Sequence, residues 1–324
     1  MKYLGLILAL IILFLLGCED SKLIHNLPQP SEDSSTKEPS NQDKIVEQIK
    51  LEARKQTVII TGKSKGTGII IAQDGYTHYV LTSKHIVGIA PSKDIQLPQD
   101  LGPDEKHLTN QGDPYKVVTF DGQNYQKYEI KYEEVEKDPN LDLAIIKFDS
   151  QSQDKKYTTA KLTTSPVSQK QTVYVYGLKD CYDKQIQEKE EFNKGTILSN
   201  SQVKTFDEGY SINYSNPTIT GMSGSPVLDA AGRVVAIHGK PGKKNKDKEY
   251  PFEKCPKLTD YYGNNYGISM QAFKDSSLAT KLTGKLAFDD KPIEVELTQN
   301  NKTNNKPLSQ PLNSPRFIRS KPAE

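Results

Sequence analysis

A succession of short β-branched segments cut by turn signals constrains this chain more than any other feature. "TVIITG" at 57–62, "GTGIIIAQ" at 66–73 and "THYVLTS" at 77–83 follow one another, with Asp74-Gly75 as a hairpin turn between the last two. Later come "KVVTF", a turn at Asp121-Gly122, "YQKYEIKYE", "LAIIKF", "TVYVYG", "GTILSN", "YSINY", "PVLD" and "RVVAIHG", with Asp229 to Gly232 as a loop before the last. Segments of this length cannot be buried singly, and little helical periodicity separates them. The pattern predicts an all-β fold, a sandwich or a pair of barrels, and excludes an alternating α/β chain.

The ends have a different composition. Hydrophobic residues make up only 35% of the 324, which suits polar flanks around a smaller core. Glu19 to about Asp43 and the stretch after Asp290 are rich in Ser, Pro, Asn, Gln and charge, so both read as disordered tails that bury too little to offset ordering entropy. Ile45, Val46, Ile49 and Ala53 recur at helical spacing and predict a short helix over Lys44 to Lys55. The expected division is 1–17 signal peptide, 18–50 tether, 51–285 folded domain and 286–324 polar tail. Lys and Arg total 43 against 41 Asp and Glu, a balance that argues against binding nucleic acid through bulk charge.

The first residues, "MKYLGLILALIILFLLGCED", place an apolar run from Leu4 to Leu16 behind a single Lys. A membrane span needs about 20 apolar residues, so this run fits the core of a secretory signal. Leu15-Leu16-Gly17-Cys18 resembles the bacterial lipobox, with Leu at a position where Ala or Ser is more usual. That resemblance implies cleavage before Cys18, acylation of its thiol (as by palmitate), and a lipid-anchored protein of the cell envelope facing the periplasm or exterior. The other reading is an uncleaved short anchor with an incidental cysteine. Cys181 and Cys255 remain, enough for one disulfide in an oxidising compartment or for two separate thiols.

Chemistry has few places to sit. Of five histidines, His25 and His107 lie in polar stretches, His78 lies within a strand, His238 ends the strand "RVVAIHG", and His85 directly follows one in "YVLTSKHIVG". Neither HExxH nor CxxC occurs, so no metal site is expected, and nothing calls for a cofactor. Asp142 immediately precedes the buried run "LAIIKF", where a carboxylate can be held rigid beside an imidazole; a plain strand-start cap is the alternative. Asp138, before Pro139, reads as turn chemistry. Ser223 lies in "TGMSGSPVLD" among small residues, and a serine hydroxyl needs a base and waiting oxyanion donors to become a nucleophile.

"VLTSKHIV", "DLAIIKF" and "GMSGSPV", in that order, resemble the trypsin-like serine proteases of the chymotrypsin fold, as do "GTGIIIA", "TILSN" and "NYGISMQAF". The resemblance spans roughly Gln56 to Phe273. It implies two packed six-stranded antiparallel β-barrels and a triad of His85, Asp142 and Ser223. It also implies an oxyanion hole from the backbone N–H groups of Gly221 and Ser223, and polypeptide substrates cleaved through an acyl-enzyme. The order also rejects an α/β-hydrolase, whose histidine follows its serine. Bacterial glutamyl endopeptidases resemble the chain in "SGSPV" and "AIH". They imply Thr218 and His238 as hydrogen-bond donors to an acidic P1 side chain, against a plain capping role for His238. Five lysines between Lys240 and Glu249 read as a solvated loop or as a lure for acidic peptides. The rival to an enzyme is a catalytically silent, membrane-tethered trypsin-like module that captures peptides; a surface protein with a plain sandwich core is a third option.

Overall fold

The computed structural model describes residues 39–88, 114–150, 157–180, 190–200, 207–240 and 264–293. Cys18, Cys181, Cys255, His25, His107 and all but the first lysine of the 240–249 run lie outside them. The described strands form two sheets within one compact unit.

In the first half, β1 (Thr57–Thr61), β2 (Gly66–Asp74) and β3 (Thr77–Thr82) form a meander. They are joined by β4 (Lys116–Phe120), β5 (Tyr125–Glu129), β6 (Glu136–Lys137) and β7 (Ala144–Asp149) in the order β5-β4-β1-β2-β3-β7-β6. The second half is a closed barrel of six strands. Its members are β8 (Thr172–Leu178), β9 (Glu190–Asn200), β10 (Tyr210–Tyr214), β11 (Pro226–Leu228), β12 (Val234–Lys240) and β13 (Asn265–Ser269).

The barrel matches the six strands expected, whereas the first half is a seven-stranded half-barrel. The two-residue β6 ends the sheet beside β7, and β5 is the opposite edge. Side chains bridge the gap where a ladder would otherwise run. Tyr128 on β5 stacks on Phe148 of β7 with centroids 4.8 Å apart, and its hydroxyl meets that of Tyr157 at 2.7 Å.

Strand alternation divides the core into three layers. Ile70, Val80, Ala144 and Ile146 fill the first sheet's concave side, while Val173, Val175, Val227 and Ala236 fill the barrel. Their strand neighbours Ile69, Ile71, Leu81 and Ile145 turn the other way, against Tyr174, Tyr176, Leu228 and Ile237. The apolar run of β2 is thus buried on both faces. Each such isoleucine contributes about 1.5–3 kcal/mol relative to exposure, so this shared layer is a main source of cohesion between the halves.

Helix α1 (Asn41–Gln56) seals that layer. Asp43 in its first turn and Arg54 and Lys55 in its last suit the helix dipole. Ile49 and Ala53, one turn apart, are buried in the shared layer. Arg54 donates to Glu190 at 2.8 Å and lies 4.0 Å over the Phe120 ring. Ordered structure therefore starts upstream of the boundary expected at residue 51. It also continues past 285: Phe288 packs on the core, and Arg233 donates to the carbonyls of Asp289 and Lys291 at 3.0 and 2.5 Å. Asp290 accepts from the Thr164 N–H at 2.6 Å. Ile49 and Ala53 anchor one segment and Phe288 with these polar contacts the other, which bulk composition does not register.

Candidate active site

The ladder between β3 and β7 carries the first two site residues. Thr82 pairs with Ala144, and one rung further the Lys84 N–H donates to the Asp142 carbonyl at 3.1 Å. The chain then makes a single helical turn, Lys84–Val87, anchored by buried Ile86 and Val87. His85 is left with its side chain 43% exposed at the sheet's end.

Asp142 is 2% exposed and grips His85 twice. Its Oδ1 accepts the His85 backbone N–H at 2.8 Å and its Oδ2 meets Nδ1 at 2.6 Å. An ionised carboxylate only accepts, so Nδ1 carries a proton and, in the neutral imidazole, Nε2 keeps its lone pair. Burial alone would raise the Asp142 carboxyl. Hydrogen bonds and charge from His85, with the Tyr210 hydroxyl, outweigh it and hold the group below the ordinary carboxylate range. Asp138 folds the preceding turn, its Oδ1 accepting the N–H groups of Asn140 and Leu141 at 2.9 Å.

Ser223 reaches this corner through bonds between the halves. The Thr67 N–H donates to the Ser223 carbonyl at 2.8 Å and the Thr67 hydroxyl to the Gly221 carbonyl at 2.9 Å. The Gly224 N–H and the Ser83 hydroxyl share the His238 carbonyl, at 2.7 and 3.1 Å. A Cβ at Gly224 would fall on the Thr67 carbonyl, so glycine at φ +86° is what allows this approach. Ser223 itself is half-buried. Among the described residues no hydrogen bond joins it to His85.

Each flanking peptide is pinned by its carbonyl. The Thr220 carbonyl accepts from the Asp180 N–H at 2.9 Å, and the Met222 carbonyl from the Ser225 N–H at 3.0 Å. Both peptides are trans, so the N–H of Gly221 and of Ser223 face away from those pins. Met222 and Gly224 spend their N–H groups inside the protein. Those of Gly221 and Ser223 have no partner among the described residues. Gly221 adopts φ +94°, and a Cβ there would sit 2.5 Å from the Asp180 nitrogen and 2.7 Å from the Leu178 carbonyl.

Comparison with protein families matches residues 66–237 to the trypsin-like peptidase domain. The chain belongs to this family. Among solved structures, that of Deg5 aligns with a TM-score of 0.51 at 16% identity, covering 76% of this chain and 99% of Deg5. An inactive mutant of Rv3671c from M. tuberculosis H37Rv aligns with a TM-score of 0.46 at 14% identity, covering 74% of this chain and 93% of that one. Comparison with curated proteins returned no match. The likeness to Deg5 supports the chymotrypsin-like arrangement of half-barrel and barrel, and as a peptidase domain the chain acts on polypeptides.

Thr218 and His238 of this peptidase domain are both buried, 1% and 2% exposed. His238 turns into the barrel, where Nδ1 meets the Tyr214 hydroxyl at 2.6 Å. Burial, and then the neighbouring His85, push its pKa down to about 3, partly offset by the Tyr266 backbone. The Thr218 hydroxyl has no hydrogen-bond partner among the described residues. No hydrogen bond links it to His238.

Three contributors had no functional signal in the sequence. Thr67 is a threonine between two glycines, Asp180 pins the Thr220 carbonyl through its backbone, and Tyr210 donates its hydroxyl to Asp142. Only the GTG pattern offered a hint: Cβ atoms at Gly66 and Gly68 would lie 2.8 Å from Ile86 and 2.5 Å from Val80, so Thr67 is held in a tight seat.

Proposed function

We propose that the chain is a serine endopeptidase working through His85, Asp142 and Ser223. The Ser223 hydroxyl attacks the scissile carbonyl while His85 Nε2 takes its proton, and the same imidazolium later protonates the leaving amine. Asp142 stays ionised, fixes the tautomer and stabilises the cation. The N–H groups of Gly221 and Ser223 receive the oxyanion, and water then releases the acyl group. The observation that carries this reading is the doubled grip of a buried Asp142 on His85, which leaves Nε2 as the free base.

The one observation favouring a silent peptide-binding module is that Ser223 and His85 are not hydrogen-bonded. Such bonds are often long in unliganded enzymes and tighten with substrate. A fluorophosphonate probe separates the two. Stoichiometric labelling that disappears in Ser223→Ala supports the enzyme, and folded protein that resists labelling supports the module.

A preference for glutamate at P1 is the finer proposal. It is supported by the unpartnered Thr218 hydroxyl, since a hydroxyl can donate to a carboxylate; His238 has Nδ1 engaged by Tyr214 and a hydrogen bond to the Tyr266 backbone that a substrate would have to replace. A fluorogenic panel varied at P1 tests it; equal or faster cleavage after Leu or Lys would reject it. Export and lipid anchoring at Cys18 are proposed from the sequence alone. Radiolabelled palmitate incorporated by the native chain but not by Cys18→Ala is the expected result.

A further inference from the structure

Three hydrogen bonds converge on the Asp142 carboxylate, and His85 supplies only two. The third comes from the Tyr210 hydroxyl, which donates to the same Oδ2 that accepts from His85 Nδ1. His85 and Asp142 belong to the first sheet, whereas Tyr210 opens β10 in the barrel. We propose that Tyr210 is a positioning residue: its hydroxyl, delivered by the second half, fixes the Asp142 carboxylate so that His85 keeps one orientation towards Ser223. This rests on the reading of those three residues as catalytic.

A carboxylate held only by the imidazole it must orient gives that imidazole no independent reference, and His85 is the most exposed member of the group. Tyr210 supplies the reference. It is 2% exposed, and its strand is hydrogen-bonded to β13 on one side and β9 on the other. The Asp142 N–H donates to the Glu208 carbonyl at 3.0 Å, so the residues just before Tyr210 clamp the aspartate backbone while Tyr210 holds its carboxylate.

The phenol can only be the donor. Burial first, and then the Asp142 charge, raise its pKa far above the usual tyrosine value, so it stays protonated beside an ionised acceptor. Room is made for it. A Cβ at residue 239 would fall on the Tyr210 oxygen and lie 2.9 Å from its Cε1, and the chain has glycine there. A tyrosine serving only as filler would not need its oxygen threaded past a glycine onto a buried carboxylate.

Tyr210→Phe keeps the ring and removes the donor, and Gly239→Ala pushes a methyl group onto the hydroxyl from the other side. Both are compared with wild type in kcat and KM across pH, on a peptide that wild type cleaves. In the Ser223→Ala background, the low-field proton resonance of His85 Nδ1–H is read with and without Tyr210→Phe. The expected result is a kcat lower by about tenfold at unchanged KM. The acid limb of the rate profile should move to higher pH, because a carboxylate relieved of one donor holds the imidazolium more tightly. The Nδ1–H resonance should move as well. A lower Tm with kcat, acid limb and resonance all unchanged would overturn the proposal. Absence of both hydrolysis and fluorophosphonate labelling in wild type would instead remove the catalytic reading, while the resonance still decides whether the hydroxyl controls the Asp142–His85 pair.

Discussion

His85 and Asp142 are placed by one ladder, whereas Ser223 is placed across a boundary. The first pair is brought together by β3 and β7 in register, with Tyr210 of the barrel then holding the carboxylate: once Thr82 faces Ala144, the next rung sets the aspartate beside the histidine. Ser223 depends on Thr67, Ser83 and His238, which sit on three strands or strand ends in two halves. The contact between the proposed base and its aspartate is therefore a local product of strand pairing. The proposed nucleophile and its proposed oxyanion donors are products of docking, and lose geometry with any slip between the halves.

Substitutions can separate the two arrangements. Asp142→Asn strikes the local pair; an amide favours the wrong tautomer, so kcat should fall by about 10⁴ with the fold intact. Steady-state kinetics beside a thermal melt checks this. Gly221→Ala strikes the docked loop, and a turnover loss of about 10²–10³ is expected as one oxyanion donor is displaced. KM should change little. Thr67→Val is milder: it removes the hydroxyl that bonds the Gly221 carbonyl and accepts the Leu178 N–H at 3.3 Å. A fall in kcat of about tenfold is expected, matching the net worth of a buried hydrogen bond. If Thr67→Val proved as damaging as Asp142→Asn, the distinction between local and docked placement would be lost.

The smallest effect sets one buried histidine in each half against the other. His78 lies in the first half, stacked on Phe148 at 4.8 Å, with neither ring nitrogen hydrogen-bonded among the described residues. Burial lowers its pKa, partly offset by the backbone of Tyr76 and Phe148. His238 in the barrel is lowered to about 3. Both are neutral in the folded state and more basic when unfolded, so their contribution is complete above the ordinary histidine pKa of about 6.5 and is lost as pH falls below it. His78→Phe should flatten a plot of Tm against pH just below the ordinary histidine pKa by removing one of the protons taken up on unfolding. An unchanged slope would exclude His78 as a source of the acid sensitivity.

Much of this was legible in the sequence, for a physical reason. Strand alternation, turn glycines, the histidine at a strand end and the aspartate before an apolar run are local patterns, and the ladder converts them directly into the His85–Asp142 contact. The docked contributors are not local. Thr67 acts on a carbonyl 154 residues away and Tyr210 on a carboxylate 68 residues away, and neither residue type announces a role. The seven-stranded half-barrel was hidden in the same way, since β6 is two residues long and carries no strand signal. At the ends, composition marked the flanks as polar, but Ile49 and Phe288 needed only the chance to reach the core.

The two carbonyl pins behind the proposed oxyanion donors are backbone groups bonding to backbone groups. An alanine scan of 218–225 would therefore pass over them in silence, registering the glycines and the serine and missing the peptide units between. Only exchange of an amide for an ester at Asp180 or Ser225 would delete a pin. In such a loop, the positions most indifferent to side-chain identity can be those whose main chain matters most to the reaction.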